Sequence, residues 1–233
     1  MRFQTLTMLL AAATLTAGAA WSQDYPVVVE LYTSQGCSSC PPADDMFRDL
    51  AGMEGVIALS LHVDYWDYIG WKDSFAQPAF TERQKAYAVV AGQRSIYTPQ
   101  LVVGGLDHVV GADGMAVMDH IRNHAQVPSD VRLDIRQDDG SVALQADAIG
   151  GAGQTLVVQL VRYVPEETVA IDHGENAGHT ITYVNVVTDW DEVGVWTTSE
   201  PLDLVFDVQG PAPAVVIIQE QGPGRIRAVA KLQ

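Results

Sequence analysis

Apolar and polar positions follow two different rhythms along this chain, and the change falls near residue 126. Val27 to Tyr32 is apolar except for Glu30, the pattern of a strand covered on both faces. Met46, Phe47 and Leu50 then recur at helical spacing between Cys40 and Ala51. Val56 to Val63 reads as a second strand, and Ala79 to Ala91 as a helix with Phe80, Tyr87 and Val90 among charged residues. Leu101–Val103 and His108–Val110 flank Gly104-Gly105 as a short hairpin, and Asp113 to Ala125 has a helical stripe of Val117, Met118 and Ile121. The order β-α-β-α-β-β-α opens with a unit that implies a parallel strand pair and a right-handed crossover.

Beyond Gln126-Val127-Pro128-Ser129 the helical spacing disappears. Val131–Arg136 and Ser141–Ala148 bracket Asp138-Asp139-Gly140, a hairpin signal. Short strands follow at Leu156–Val164, Thr180–Thr188, Leu202–Val208, Ala214–Glu220 and Ile226–Leu232, separated by glycine and proline turns. This spacing predicts an antiparallel sandwich. The expected organisation is an α/β domain over 23–126 followed by an all-β antiparallel sandwich-like domain over 127–233.

Residues 1–22 change the picture of where the chain works. Arg2, the apolar stretch Leu6–Ala17 and the small residues Ala17-Gly18-Ala19-Ala20 predict a cleaved secretory signal, hence a periplasmic or secreted protein. The apolar stretch is shorter than the roughly 20 residues a spanning helix needs, and no later segment predicts one. Against 29 acidic residues stand 13 Lys plus Arg, without a basic stripe, which argues against a nucleic-acid partner.

The chain has two cysteines, Cys37 and Cys40, in Cys37-Ser38-Ser39-Cys40. They lie between a predicted strand and a predicted helix. A cysteine at a helix N-terminus sits near unpaired N–H groups and the positive end of the helix dipole, which favour the thiolate. Two cysteines are too few to staple a fold, and an oxidising compartment lets their disulfide persist. Cys37 is the expected nucleophile and Cys40 the thiol that resolves a mixed disulfide. A permanent, inert disulfide is the alternative.

The strand–Cys-x-x-Cys–helix order, with Thr98-Pro99 just before the third strand, resembles the thioredoxin fold over residues 26 to about 125. The resemblance implies a cis proline beside the cysteine pair and a substrate groove along its flanking backbone. The segment Leu31–Asp44 further resembles a family of exported bacterial proteins known as a domain of unknown function, with a thioredoxin-like half followed by a β-rich half. The resemblance also implies that Glu30 acts as a buried carboxylate assisting Cys40, although its spacing from the cysteines is one residue longer than in thioredoxins.

The expected substrate-binding residues are Thr98, Pro99, Tyr65, Trp66 and Trp71, the last three on a long connection, Asp64–Pro78, after the second strand. Loops at that edge of an open α/β sheet commonly receive ligands. The leading expectation is an oxidoreductase acting on a protein or small-molecule thiol or disulfide. Its cofactor would be the Cys37–Cys40 disulfide alone, and a membrane redox partner is one option for its turnover. Two alternatives stand beside it: a metal-handling protein holding copper(I) or another metal through Cys37, Cys40 and His62, and a non-catalytic interaction module. The loop Asp172–His179 reads as a turn. Tyr163, Tyr183, Trp190 and Trp196 read as core and rim of the β-rich half.

Overall fold

A computed structural model of the chain describes residues 25–138, 140–150, 153–208 and 210–232. The signal reading of residues 1–22 lies outside the described residues. The first half contains β1 (Val27–Thr33), α1 (Pro41–Ala51), β2 (Val56–His62), a 3-10 turn (Asp67–Ile69), α2 (Pro78–Val90), β3 (Gln100–Val103), β4 (Asp107–Val110) and α3 (Gly114–Ala125). The second half contains β5 (Val131–Asp138), β6 (Ser141–Ala148), β7 (Thr155–Ala170), β8 (Thr180–Thr197), β9 (Leu202–Asp207), β10 (Ala214–Glu220) and β11 (Ile226–Lys231).

Strand assignment follows the apolar pattern. Every residue of β1 and β2 is buried, as expected of strands covered on both faces. β1 pairs with β2 in parallel and with β3 antiparallel, and Thr33 stands opposite His62 at the end of the parallel pair. One face of β1 (Val27, Val29, Leu31) packs on Ala43, Phe47 and Leu50 of α1 and Val117 and Ile121 of α3. The other face (Val28, Tyr32) packs on Phe80 and Tyr87 of α2.

The expectation of an α/β, thioredoxin-like domain followed by an all-β sandwich-like domain is overturned. One eight-stranded mixed sheet, ordered β11-β10-β7-β8-β2-β1-β3-β4, runs through both halves. β8 meets β2 in parallel at Ser60 and Val186, and Asn185, at φ 47°, donates its side-chain amide to the Ala58 carbonyl at 2.9 Å. The physical reason lies in β2. A strand buried on both faces also needs a partner on each edge, and β1 occupies only one. The sheet also curls: the Ile226 N–H of β11 donates to the Gly104 carbonyl, in the turn after β3, at 2.9 Å. Val215 and Ile217 of β10 share an apolar cluster with Val28, Phe80 and Tyr87.

A separate three-stranded sheet, β5-β6-β9, packs Val131, Val142, Leu144 and Ala146 against Leu156, Val158, Val216 and Ile218 of the large sheet. Two of the strands expected to be short are long: β7 has 16 residues and β8 has 18, and they form one antiparallel hairpin with irregularities at Val158/Gln159 and Arg162/Tyr163. The distal part of that hairpin lies on α1, where Arg48 donates to the Thr182 carbonyl at 3.1 Å and Val184 joins the α1-side core.

Candidate functional site

Cys37 and Cys40 form a disulfide at the head of α1, with Cα atoms 5.4 Å apart. The turn is tight. Cys37 N–H donates to Ser34 O, Cys40 N–H to Cys37 O, and the N–H groups of Ala43 and Asp44 to Cys40 O. Cys40 is the helix N-cap, and Pro41-Pro42 fill the first positions. Prolines suit that place because their fixed φ matches a helix start. They also carry no N–H, so the first-turn donors expected to stabilise a thiolate are absent at Pro41 and Pro42, leaving the helix dipole and the Ser38–Cys40 backbone.

Cys37 is 3% accessible and Cys40 is fully buried, while Ser38 and Ser39 are exposed. Two loops close on the turn. From the Asp64–Pro78 connection, Trp66 stacks against Gly36, where an added Cβ would lie 3.3 Å from Trp66 Cβ. Trp66 Nε1–H donates to Thr98 Oγ1 at 2.8 Å, and Trp71 Nε1–H to Gln35 Oε1 at 2.8 Å. Tyr65 turns away to Gln84 Oε1 at 3.3 Å, and burial pushes its hydroxyl up to about 12. The Thr98–Pro99 peptide is cis. The structure therefore brings Trp66, Trp71 and Thr98 to the border of the cysteine turn, with Tyr65 between Trp66, Thr98 and Gln84 of α2.

The second loop joins β7 to β8. Asn176, buried, donates both side-chain N–H groups, to Gln35 O at 2.9 Å and Cys37 O at 3.0 Å. Gly174, at φ +79°, approaches Trp71 so closely that an added Cβ would lie 3.1 Å from Trp71 Cβ. The loop is a turn, as read, but it is also part of the cysteine site. No local pattern announces a contact across 139 residues of chain.

Glu30, expected to assist Cys40, is engaged in another network. Its carboxylate lies on the α2 face of the sheet, opposite α1, and is fully engaged there. Arg83 Nε–H and Nη2–H donate to its two oxygens at 2.8 and 2.9 Å, Tyr87 OH at 2.6 Å and Tyr32 OH at 2.9 Å. Burial opposes the Arg83 charge, but the Glu30 carboxylate more than offsets it and holds the guanidinium above its ordinary value. Arg83 also reaches Gln159 and Gln219 and lies 3.7 Å over the Trp190 ring, tying α2 to β7, β8 and β10. Glu30 is a structural anchor between the halves.

Asp44, one helical turn after Cys40 on α1, is buried, next to the exposed Asp45. Thr33 Oγ1–H donates to Asp44 Oδ1 at 2.8 Å, and Oδ2 has no hydrogen-bond partner. Burial pushes the Asp44 carboxyl up to about 7, against the opposing pull of His62 and the Thr33 hydroxyl. His62, opposite Thr33 in the parallel register, shares that face. Its Nδ1 lies 2.7 Å from Asp73 Oδ2, and its Nε2 is buried without a partner. Burial would raise Asp73, but His62 and the N–H groups of Gln35 and Phe75 hold it below the usual value. An ionised Asp73 can only accept, so His62 Nδ1–H donates to it. The rings of Phe75 and Tyr183 pack edge-on against His62 at 5.1 and 4.8 Å, and Tyr183 OH is likewise buried without a partner.

Asp44, Asp73 and Asn176 are thus site residues that sequence reasoning missed. One visible signal also went unused: His120 and His124, four apart on α3, both face Asp107, with Nδ1 3.4 Å and Nε2 2.7 Å from its Oδ2. Among the described residues no group of three or more His, Cys, Asp or Glu side chains is placed to hold a metal ion, and no helix is long and apolar enough to cross a membrane.

Comparison with known proteins adds kinship without chemistry. No curated protein matches the chain. The crystal structure of protein AGR_C_4864 from Agrobacterium tumefaciens is 32% identical, covering 91% of this chain and 96% of that one, with a TM-score of 0.76. HBP35 of Porphyromonas gingivalis is 13% identical over 90% of this chain and 75% of its own, with a TM-score of 0.58, a likeness of fold alone. Residues 28–219 match the family described as a protein of unknown function, DUF1223. By the extent of that match, which takes in both halves of the large sheet, the chain belongs to the DUF1223 family.

Proposed function

We propose that this is an exported thiol–disulfide oxidoreductase working through Cys37 and Cys40. The observation that carries the reading is the disulfide itself, at the head of α1 with two exposed serines between its cysteines. A disulfide spanning a sequence separation of 3 removes little freedom from the unfolded chain, so stabilisation is a poor reason for it. Exchange chemistry is the better one.

A substrate thiolate attacks Cys37 Sγ, the Cys37–Cys40 bond breaks, and Cys40 leaves as a thiolate that takes up a proton. A second substrate thiol then displaces Cys37, so two electrons pass from a dithiol to the protein. The reverse sequence reduces a substrate disulfide, and a second dithiol or disulfide couple restores the starting state. Trp66, Trp71, Thr98 and Pro99 would border the approaching chain, and no cofactor beyond the cysteine pair is required. Export rests on residues 1–22 of the sequence.

Equilibration with glutathione or dithiothreitol buffers tests the reading. A reduction potential between about −270 and −120 mV belongs to working oxidoreductases. A value below about −300 mV marks a structural bond and sinks the proposal. Cys40→Ser should accumulate mixed disulfides on Cys37 in the intact protein.

A further inference from the structure

Where α2 meets β7, β8 and β10, the two halves leave a cavity of 280 Å³ on the α2 face of the sheet. That is close to the roughly 300 Å³ at which pockets for small ligands begin. Its lining includes the buried polar side chains of Gln159 and Gln219, the Arg83 guanidinium, and Trp190, over whose ring that guanidinium lies. Phe80 and Val157 add apolar wall.

The hydrogen bonds of this floor do not use all of its donors. Arg83 has five N–H groups. Nε–H and both Nη2–H groups are spent on Glu30, Tyr87 and Gln219, whereas Nη1 has one partner, Gln159 Oε1 at 3.3 Å. Gln219 spends both amide N–H groups, on Tyr87 OH and Gly224 O. Gln159 spends one, on Gln219 Oε1, and its own Oε1 already accepts from Arg83 and Trp190. One N–H of Arg83 Nη1 and one of Gln159 Nε2 therefore have no protein partner among the described residues. Glu30 already balances the Arg83 charge, so a carboxylate here would bring in an uncompensated charge, which is costly away from water. A neutral carbonyl oxygen meets both donors without that cost. At the rim, Glu192 stands opposite Gln159 in the β7–β8 register and shares a face with Trp190, two residues away. Glu192 is exposed and has no ion pair among the described residues, whereas Glu220, also at the rim, is held by Arg227.

We propose that this cavity binds a small primary amine bearing a neutral amide carbonyl and an apolar side chain, the chemistry of an amino-acid amide. The carbonyl oxygen accepts from Arg83 Nη1–H and Gln159 Nε2–H, the ammonium pairs with Glu192, and the side chain covers Phe80 and Val157. The site lies apart from the cysteine turn and does not depend on the oxidoreductase reading.

Isothermal titration of the full mature chain with phenylalaninamide tests the site. The measurement is made at pH 6, below the roughly 7.7 at which an α-amino group loses its proton. The amide should bind saturably with a Kd of about 1 mM or tighter. N-acetylphenylalanine, which carries a carboxylate and no ammonium, should not bind. Glu192→Gln should weaken the amide about two- to fivefold. Ala79→Leu, at an exposed position that lines the cavity, should fill it and weaken binding at least about tenfold. Both variants should melt as the wild type does. No saturable heat up to about 10 mM amide overturns the proposal. So does equal affinity for the acetylated acid, or an affinity unchanged in either variant.

Discussion

Asp44 and Glu30 are two buried carboxyls with opposite consequences for stability. An unfolded aspartate ionises near 3.9, whereas Asp44 in the fold ionises at about 7. Between those values the folded chain holds a proton that the unfolded chain has lost. Stability therefore falls as pH rises through that window and is lost once Asp44 has ionised, by at most about 4 kcal/mol. Asp44→Asn should melt several degrees higher than wild type at pH 8 and show no gain at pH 4, as measured by calorimetry. Glu30→Gln should act the other way: it strands the Arg83 cation and costs about 3–5 kcal/mol in a urea titration, with the reduction potential unchanged. At this scale the sequence was half legible. Glu30 stands out as a charge within an apolar strand, so its burial could be read. Asp44 is hidden, because Ala43-Asp44-Asp45 looks like an ordinary acidic first turn, and only tertiary packing buries one aspartate and exposes its neighbour.

Among the elements, the β7–β8 hairpin has the widest reach. Its strands were visible as apolar alternation, but their length was not, because β7 and β8 continue past their buried residues into exposed, polar ones such as Glu166, Glu167 and Asp189. Periodicity reports which face is covered and says nothing about which strand lies alongside. The pairing of β8 with β2 therefore had to come from the structure. The hairpin's turn sets Asn176 on the backbone carbonyls of Gln35 and Cys37. Asn176→Ala leaves both carbonyls without that donor and loosens the turn. Dithiothreitol should then reduce the disulfide several-fold faster than in wild type, for a stability cost of about 1–3 kcal/mol. An unchanged reduction rate would mean that access runs past Ser38 and Ser39 without movement of this turn.

For the whole molecule, the shared sheet predicts a single cooperative unit. Residues 25–126 made alone would expose the free edge of β2, together with the apolar α2-side cluster that Val215, Ile217 and Val187 complete. That fragment should give no dispersed NMR spectrum, whereas the full chain should unfold in one transition by fluorescence and circular dichroism alike. The halves also touch at the β3–β4 turn. Gly105, at φ +75°, lies so close to the second half that an added Cβ would collide with Gly224 O.

The path of the β7–β8 hairpin has one more consequence, for how this family can be recombined. The cysteines come from near one terminus, while the asparagine that holds their turn comes from the tip of a ribbon encoded some 140 residues later. A chimaera joined at residue 126 from two diverged relatives would inherit a cysteine turn from one parent and its cover from the other. Each parental half could be sound and the hybrid still have a mismatched mouth. The exchangeable unit is the whole matched region of both halves, and substitutions around Cys37 and around Asn176 should be tolerated as pairs more readily than singly.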